Sequence, residues 1–518
     1  MIRIDRAHPL VPAAIATGAV AAMTIAYVIA PVELRGPALL AAASAVLIGS
    51  FLAAPKPTLV VFALTVLLYD TIAFYVGPSI KQIDEVCIPA FVLIAALRIR
   101  PWRRPYLSPA RDLAAGAVFG LAIISSVVNG VPLGTWLPGL LLLVKVIAFL
   151  YLVMWQNYEP VDLRQIGVAV VSVGLVAVSL GYVGLLDPSG FRAFFGFVGG
   201  AYPRGQLPSI NSIFQHPEML AWFGTFVSLF AFGYYVVFRR WWLLAAGLFF
   251  ATTAILTARR RAILGVIVGL LAGLAAQVRA RIPARQIARH WLPVGAGIFV
   301  LGLLFLPGLS TLLNQTVGEF RPPGSDPPPV VDAPPEPGLE NARLAIYYTS
   351  VDVARDYFPL GAGLGRYGSW MSRVDYSPLY ETYGLDRVYG LSREVPGYIT
   401  DTFWPQILGE IGVFGLLAYV AFVGVVGLQI WNATQLMRQR DPFLYAFCLA
   451  TVMVFFHALV ETVFSSLFHS PPKVYLIFGA MGIALALLRQ ATTADATQDS
   501  APTGAEAENL TGPGATAA

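Results

Sequence analysis

Long apolar runs recur along the chain and are separated by short polar connectors. They fall at about residues 10–30, 37–54, 58–77, 84–98, 113–129, 136–156, 165–187, 216–238, 241–258, 262–278, 291–312, 402–430, 443–465 and 472–489. A helix of about 20 apolar residues crosses a hydrocarbon core roughly 30 Å thick. Runs that are continuous, rather than alternating with period two, favour helices over a barrel. The pattern therefore predicts an all-α polytopic membrane protein with roughly 12–14 spanning helices. The run at 84–98 is the shortest. The opening Met1-Ile2-Arg3-Ile4-Asp5-Arg6 leads into the first run, which reads as a retained helix rather than a cleaved leader.

Composition agrees. Of 518 residues, 57% are apolar and 12% charged, against about 45–50% and 25% in ordinary soluble domains. A soluble globule of this composition would expose too much apolar surface, so lipid is part of its solvent. That excludes a soluble enzyme, a disordered chain, a coiled coil and a disulfide scaffold. The two cysteines, Cys87 and Cys448, lie in apolar runs and make neither a disulfide framework nor a zinc site. The five histidines are scattered, so no metal and no cofactor is expected. A net charge of +5 is small for this length and suggests no nucleic-acid partner.

The distribution of charge says more than its sum. With Arg3 and Arg6 in the cytoplasm and sides alternating, several basic clusters fall inside, as the positive-inside rule requires. They are Arg98 to Arg111, Arg239 and Arg240, Arg279 to Arg289, and Arg438 and Arg440. Arg259, Arg260 and Arg261 violate the rule. They separate two apolar runs with almost no loop and fall on the outer side. Three guanidiniums at an outer membrane edge call for a function.

The chain thus divides into about eleven helices over 1–312, a large outward loop over 313–400, about three helices over 401–490, and a cytoplasmic tail over 491–518 that reads as disordered. The loop begins with a proline-rich spacer at 321–338, polyproline-like or without structure. Asn341 then caps a predicted helix running to about Phe358, on which Leu344, Tyr347, Val351, Ala354 and Phe358 recur at helical spacing. Pro359 stops it. Gly361, Gly363, Gly365 and Gly368 form a tight turn region. Gly-Ala-Gly-Leu-Gly superficially suggests a nucleotide loop, but no strand precedes it. Residues 370–400 mix aromatics with charges, among them Trp370, Tyr380, Glu381, Tyr389, Arg393 and Glu394. Such a mixture suits sugar rings, or equally a solvated loop with an interfacial aromatic belt.

Three stretches in this order resemble the O-antigen ligase and polymerase superfamily of bacterial membrane glycosyltransferases. The first is Arg204-Gly205 with Ser212-Ile213-Phe214-Gln215-His216-Pro217-Glu218. The second is Leu256-Thr257-Ala258-Arg259-Arg260-Arg261-Ala262, in which Arg260 takes the family's arginine position. The third starts at Asn341-Ala342-Arg343, passes through Pro359-Leu360-Gly361-Ala362-Gly363-Leu364-Gly365, and ends at Asp401-Thr402-Phe403-Trp404-Pro405-Gln406-Ile407-Leu408-Gly409-Glu410. The family commonly has His-Asn where this chain has Asp401-Thr402. The resemblance implies a GT-C-like fold in the bacterial plasma membrane, with its site facing the periplasm or the cell exterior. It implies transfer of a glycan from an undecaprenyl-diphosphate carrier to a hydroxyl of an acceptor glycan. The product is a polymerised repeat unit or, in a ligase, a glycan joined to lipid or protein. Other polysaccharide export and assembly proteins are the further partners it suggests, beside the lipid bilayer.

Such a transfer needs a cationic cradle for the diphosphate, a base for the acceptor proton and a groove that aligns both glycans. Arginine suits the cradle because its planar fork binds phosphate oxygens at two points and stays charged. Arg260 leads, with Arg259 and Arg261 beside it, Arg343 within reach and Arg204 weaker. Asp401 is the leading base, counted with Arg260 and Arg343 among the catalytic residues; Glu381 and Glu394 are rivals for the proton. An aspartate just before an apolar helix is equally a favoured N-cap. His216 and Glu218 either bind acceptor hydroxyls or cap locally. Glu410, inside a membrane run, is expected to pair with an arginine and hold the site together. Asp70, Lys145, His457 and Glu461 are further intramembrane polar groups. The rival reading is a flippase for lipid-linked oligosaccharides. Transporters usually carry internal repeats with a midplane site, and the two halves of this chain show no similarity, which favours an enzyme.

Overall fold

The computed structural model describes residues 34–98, 108–195, 207, 209–210, 212–214, 216–311 and 339–499. The predicted run at 10–30, Arg204, the proline-rich spacer and the tail beyond 499 lie outside the described residues. The regular elements found among the described residues are helices. Ten are long and apolar enough to cross a membrane, and the protein is an all-α polytopic membrane protein.

In chain order these are α1 (Arg35–Ala53), α5 (Pro109–Val128), α6 (Leu133–Met154), α7 (Pro160–Val183), α9 (Pro217–Phe238), α11 (Arg260–Arg279), α12 (Ala284–Leu304), α16 (Trp404–Arg440), α17 (Pro442–Phe464) and α18 (Lys473–Asp499). Between them lie α2 (Pro55–Leu67), α3 (Tyr69–Val76), α4 (Ile83–Arg98), α8 (Pro188–Phe195) and α10 (Trp241–Leu256). The expected single span at 58–77 is broken, because α2 and α3 meet at an angle of 66°. The runs at 84–98 and 241–258 are helices of 16 residues each, short of a full span. Every predicted run from residue 37 onward is helical, but fewer than fourteen helices have spanning length. Proline opens several of them, as at Pro109, Pro160, Pro217 and Pro442. There its missing N–H costs nothing. Asp441 caps α17 by accepting from Phe443 N at 2.6 Å and Leu444 N at 3.0 Å.

The bundle has two distinct ends. At one, Arg438 donates to the Ala280 carbonyl and Arg440 to the Ala491 carbonyl at 3.2 Å. Arg239 and Arg279 terminate their helices there too, and Arg489 of α18 donates to the Gln156 carbonyl at 2.9 Å. At the other end, the beginnings of α9, α11 and α18 meet the end of α17. The Arg259–Arg261 triplet lies at this second end, and so does the segment 339–403.

That segment is a small helical unit. It contains α13 (Leu339–Asp356), α14 (Trp370–Val374) and α15 (Pro378–Thr382), packed around Ala342, Ile346, Val353, Tyr367, Tyr380 and Ile399. The aromatic residues expected as one group therefore divide. Tyr380 is core, whereas Trp370 and Tyr389 stay 53% and 51% exposed. The predicted helical face of α13 also divides, since Ala354 is buried and Leu344, Val351 and Phe358 are exposed.

Glycine chemistry latches this unit onto the bundle. α16 is interrupted at Gly412, whose φ of 70° and ψ of −170° are left-handed backbone that only glycine adopts cheaply. The break frees carbonyls of the preceding turn. Ala362 N donates to Gly409 O at 2.8 Å and Gly363 N to Glu410 O at 2.9 Å. Asn129, at the end of α5, donates to Gly361 O at 2.7 Å. A Cβ on Gly412 would lie 2.2 Å from the Pro359 carbonyl. Gly412→Ala therefore combines strain with a backbone clash, and should lower stability by more than about 1–3 kcal/mol. Gly424→Ala, in open space on the same helix, should leave it unchanged or slightly higher. Thermal unfolding of the purified protein in detergent checks both, and equal midpoints would contradict the latch.

A candidate functional site at the loop end of the bundle

Arg261 stands on the first turn of α11 and reaches three neighbours. Its fork pairs with Glu218 of α9. Its Nε lies 3.3 Å from Glu461 of α17, and it donates to the Phe464 carbonyl at 3.0 Å. Lys473, the first residue of α18, holds the other oxygen of Glu218. Two cations and two carboxylates thus form a neutral tetrad joining four helices. The side chains of Arg261, Glu461 and Lys473 are only 12%, 1% and 7% exposed. Charges this far from water persist only when paired.

The packing below the tetrad keeps its register. Gly265 follows Arg261 by one turn of α11 and faces His457, which precedes Glu461 by one turn of α17. A Cβ on Gly265 would lie 1.9 Å from His457 Nδ1, so the absent side chain allows the two helices to close. His457 is fully buried, and neither ring nitrogen has a hydrogen-bond partner.

Beside the tetrad, Arg343 of α13 pairs with Asp401 at 3.0 Å, with side chains 24% and 30% exposed. Asp401 is not a helix cap. α16 starts at Trp404 after Phe403, with no side-chain cap, and the Asp401 carboxylate instead accepts from Arg343. Burial pushes its carboxyl above the ordinary carboxylate range. Arg343 opposes the rise, and the nearby Glu218 adds to it. Asp401 is thus a carboxylate of increased basicity held against a guanidinium, an arrangement suited to taking a proton.

The other expected site residues are distributed as follows. Arg259 and Arg260 are half-buried on the same turn as Arg261, the guanidinium that joins α9, α11 and α17. Helix phase turns Arg261 towards α9 and α17. His216 acts locally as the N-cap of α9, its Nδ1 accepting from Glu218 N at 3.2 Å. Glu381 is exposed on the loop unit and pairs with Arg393 at 3.4 Å; Glu394 is also exposed. Neither joins the cluster. Glu410 is buried but pairs with no arginine among the described residues. Its Oε1 accepts from Gly365 N at 2.7 Å and Tyr367 N at 3.2 Å. Backbone amides of the glycine turn satisfy this charge instead. The same bonds occupy the N–H groups that an anion-cradling loop would need to point outward.

Two more of the intramembrane groups, Lys145 and Asp70, find charged partners. Lys145 pairs with Asp84 at 2.8 Å, and the Tyr475 hydroxyl donates to the same carboxylate at 2.7 Å. Asp70 pairs with Lys81. Among the described residues, no three His, Cys, Asp or Glu side chains converge as metal ligands. Lys473 was missing from the candidates drawn from sequence. Its signal was present, because a lysine at the N-terminus of an apolar helix opposes the helix dipole and needs a carboxylate.

The chain matches no model of a known protein family, and no curated protein is measurably similar to it.

The tetrad makes a stability prediction. Lys473→Met leaves the half-buried Glu218 with only one cation, and removing one partner of a buried pair costs about 3–5 kcal/mol. The double variant Glu218→Gln, Lys473→Met should recover part of that loss, with a coupling energy of about 0.5–3 kcal/mol. Thermal unfolding of the wild type, Lys473→Met, Glu218→Gln and the double variant measures it. Purely additive losses would show that the two groups do not act as a pair.

Proposed function

We propose that the protein is a membrane glycosyltransferase that moves a glycan from an undecaprenyl-diphosphate carrier to a hydroxyl of an acceptor glycan, polymerising polysaccharide repeat units. The observation that carries this reading is the meeting of Arg343 and Asp401 with the arginine-bearing turn of α11, at the end of the bundle that holds the loop unit. The sequence resemblance drew on the same parts of the chain, its second and third stretches. In this reading that end lies outside the plasma membrane, and the opposite, arginine-rich end faces the cytoplasm.

The proposed chemistry follows from the residues. The Asp401 carboxylate takes the acceptor hydroxyl's proton as the oxygen attacks the anomeric carbon. The bond from that carbon to the diphosphate breaks, and the lipid diphosphate leaves with the electron pair. Arg343 is shared between the base and the leaving group. As it turns towards phosphate oxygens it releases Asp401, whose basicity then rises. Arg260 and Arg259 extend the cationic edge, and Arg261 holds the turn that carries them. These groups are partly buried, so each charge acts more strongly than it would fully in solution. Trp370 and Tyr389, two exposed aromatics of the loop unit, are the surfaces on which sugar rings can stack.

Purified protein in vesicles with a lipid-linked repeat unit tests the reading. A lengthened glycan supports polymerisation. Transfer to a second lipid or to protein makes the protein a ligase, and movement across the bilayer without a new bond overturns the proposal. Arg260→Ala should abolish transfer with the protein still folded. Asp401→Asn should lower the rate more than binding, by about 10²–10⁴-fold if it is the general base. Because the base acts ionised, activity should fall as pH drops through the raised Asp401 pKa. That acid limb should disappear from the residual activity of Asp401→Asn. An unchanged rate would hand the proton to another group.

A further inference from the structure

α13 presents different chemistry around its circumference. Ala342, Ile346 and Val353 point into the core of the loop unit. On one flank Arg343 meets Asp401, and the Tyr347 hydroxyl donates to the Val463 carbonyl at 2.7 Å. The face opposite the core would be polar if water covered it. Instead it carries Leu344, Tyr348 and Val351, continued by Phe358 just past the helix end. They are 46%, 72%, 52% and 66% exposed. The spacing of these four residues keeps them in one stripe. Asp352 and Asp356 border it on the other flank, and Arg355 is the single charge within it, on a stem long enough to lift its head to the polar layer.

Both ends of the stripe run into surfaces of membrane-crossing helices. The Phe358 ring lies 6.4 Å from Phe414 of α16, which is 49% exposed, and Leu417 one turn further is 58% exposed. At the other end, Val463 and Phe464 finish α17 with 41% and 39% exposure. Outward-facing apolar residues on spanning helices are covered by lipid. α13 therefore bridges two lipid-covered surfaces at the level where α17 ends and α16 is broken.

We propose that α13 is an interfacial helix, with its outer stripe seated in the leaflet at the loop end of the bundle and bilayer lipid as its occupant. An amphipathic helix lying in the headgroup boundary has this division of faces. Its position fixes the height of Arg343 relative to the bilayer, so the Arg343–Asp401 pair sits at the depth of lipid headgroups. The inference does not depend on the proposed enzymatic activity.

Fluorescence quenching tests it. Tyr348→Cys and Val351→Cys are each labelled with an environment-sensitive nitrobenzoxadiazole dye in the full chain and reconstituted in phosphatidylcholine vesicles. Glu394→Cys, at an exposed polar position, serves as reference. The native Cys87 and Cys448 are buried and do not compete for label. The expected result at both stripe positions is blue-shifted emission, quenching by shallow spin-labelled lipids, and loss of the iodide quenching seen at position 394. Iodide quenching equal to the reference would overturn the proposal. Shielding from iodide without quenching by spin-labelled lipid would also overturn it, because protein rather than lipid would then cover the stripe.

Discussion

A charge inside a membrane protein must be paired, and that constraint organises the loop end of this bundle. Arg261 enters a region where neither water nor headgroup can reach its whole fork, and it persists because Glu218, Glu461 and the Phe464 carbonyl receive it. Each partner belongs to an element that the pairing then fixes. Glu218 is bound in turn to Lys473, so α9, α11, α17 and α18 share one electrostatic knot. Pairs of this kind add less to stability than their number suggests, since desolvation offsets much of the attraction. Their larger effect is on register, because a slipped helix would strand a charge. Asp84, Lys145 and Tyr475 make a second knot of the same type among α4, α6 and α18.

The loop unit is attached by different physics. Its latch is backbone to backbone, between a glycine turn and the break in α16. Glu410 serves that latch by accepting two amides of the turn. With the unit held in this way, Arg343 and Asp401 reach the edge of the tetrad without being part of it. Helix packing and the latch therefore frame the Arg343–Asp401 pair. In the proposed reaction, that frame holds the geometry while the pair opens to admit substrate.

Much of the fold was legible in the sequence, because continuous apolar runs leave a chain in lipid few alternatives. The boundaries moved where polarity misled. α12 begins at Ala284, within the basic stretch Arg279 to Arg289, and α16 continues to Arg440 through a polar last turn. The bend at Leu68 had no glycine or proline to announce it. At the site, the arginine triplet and the Asp401 neighbourhood could be found from sequence, but the member that faces inward depends on helix phase, which three consecutive arginines do not reveal. Glu410 was assigned an arginine partner because backbone donors are invisible in a sequence. The tyrosines of 370–400 had the composition of a binding surface, yet composition does not say which rings turn inward. Tyr380 turns inward, beside Tyr367 from just before that stretch, to build the unit that carries the others.

All of the proposed chemistry requires the end holding Arg259 to Arg261, Arg343 and Asp401 to face away from the cytoplasm. Sidedness labelling measures this most directly. Glu394→Cys is introduced into the full chain in intact cells and exposed to a membrane-impermeant maleimide, with the buried Cys87 and Cys448 as unreactive background. The account predicts labelling from outside intact cells and protection in sealed inverted vesicles. Labelling only in inverted vesicles would put the cationic edge in the cytoplasm and contradict it.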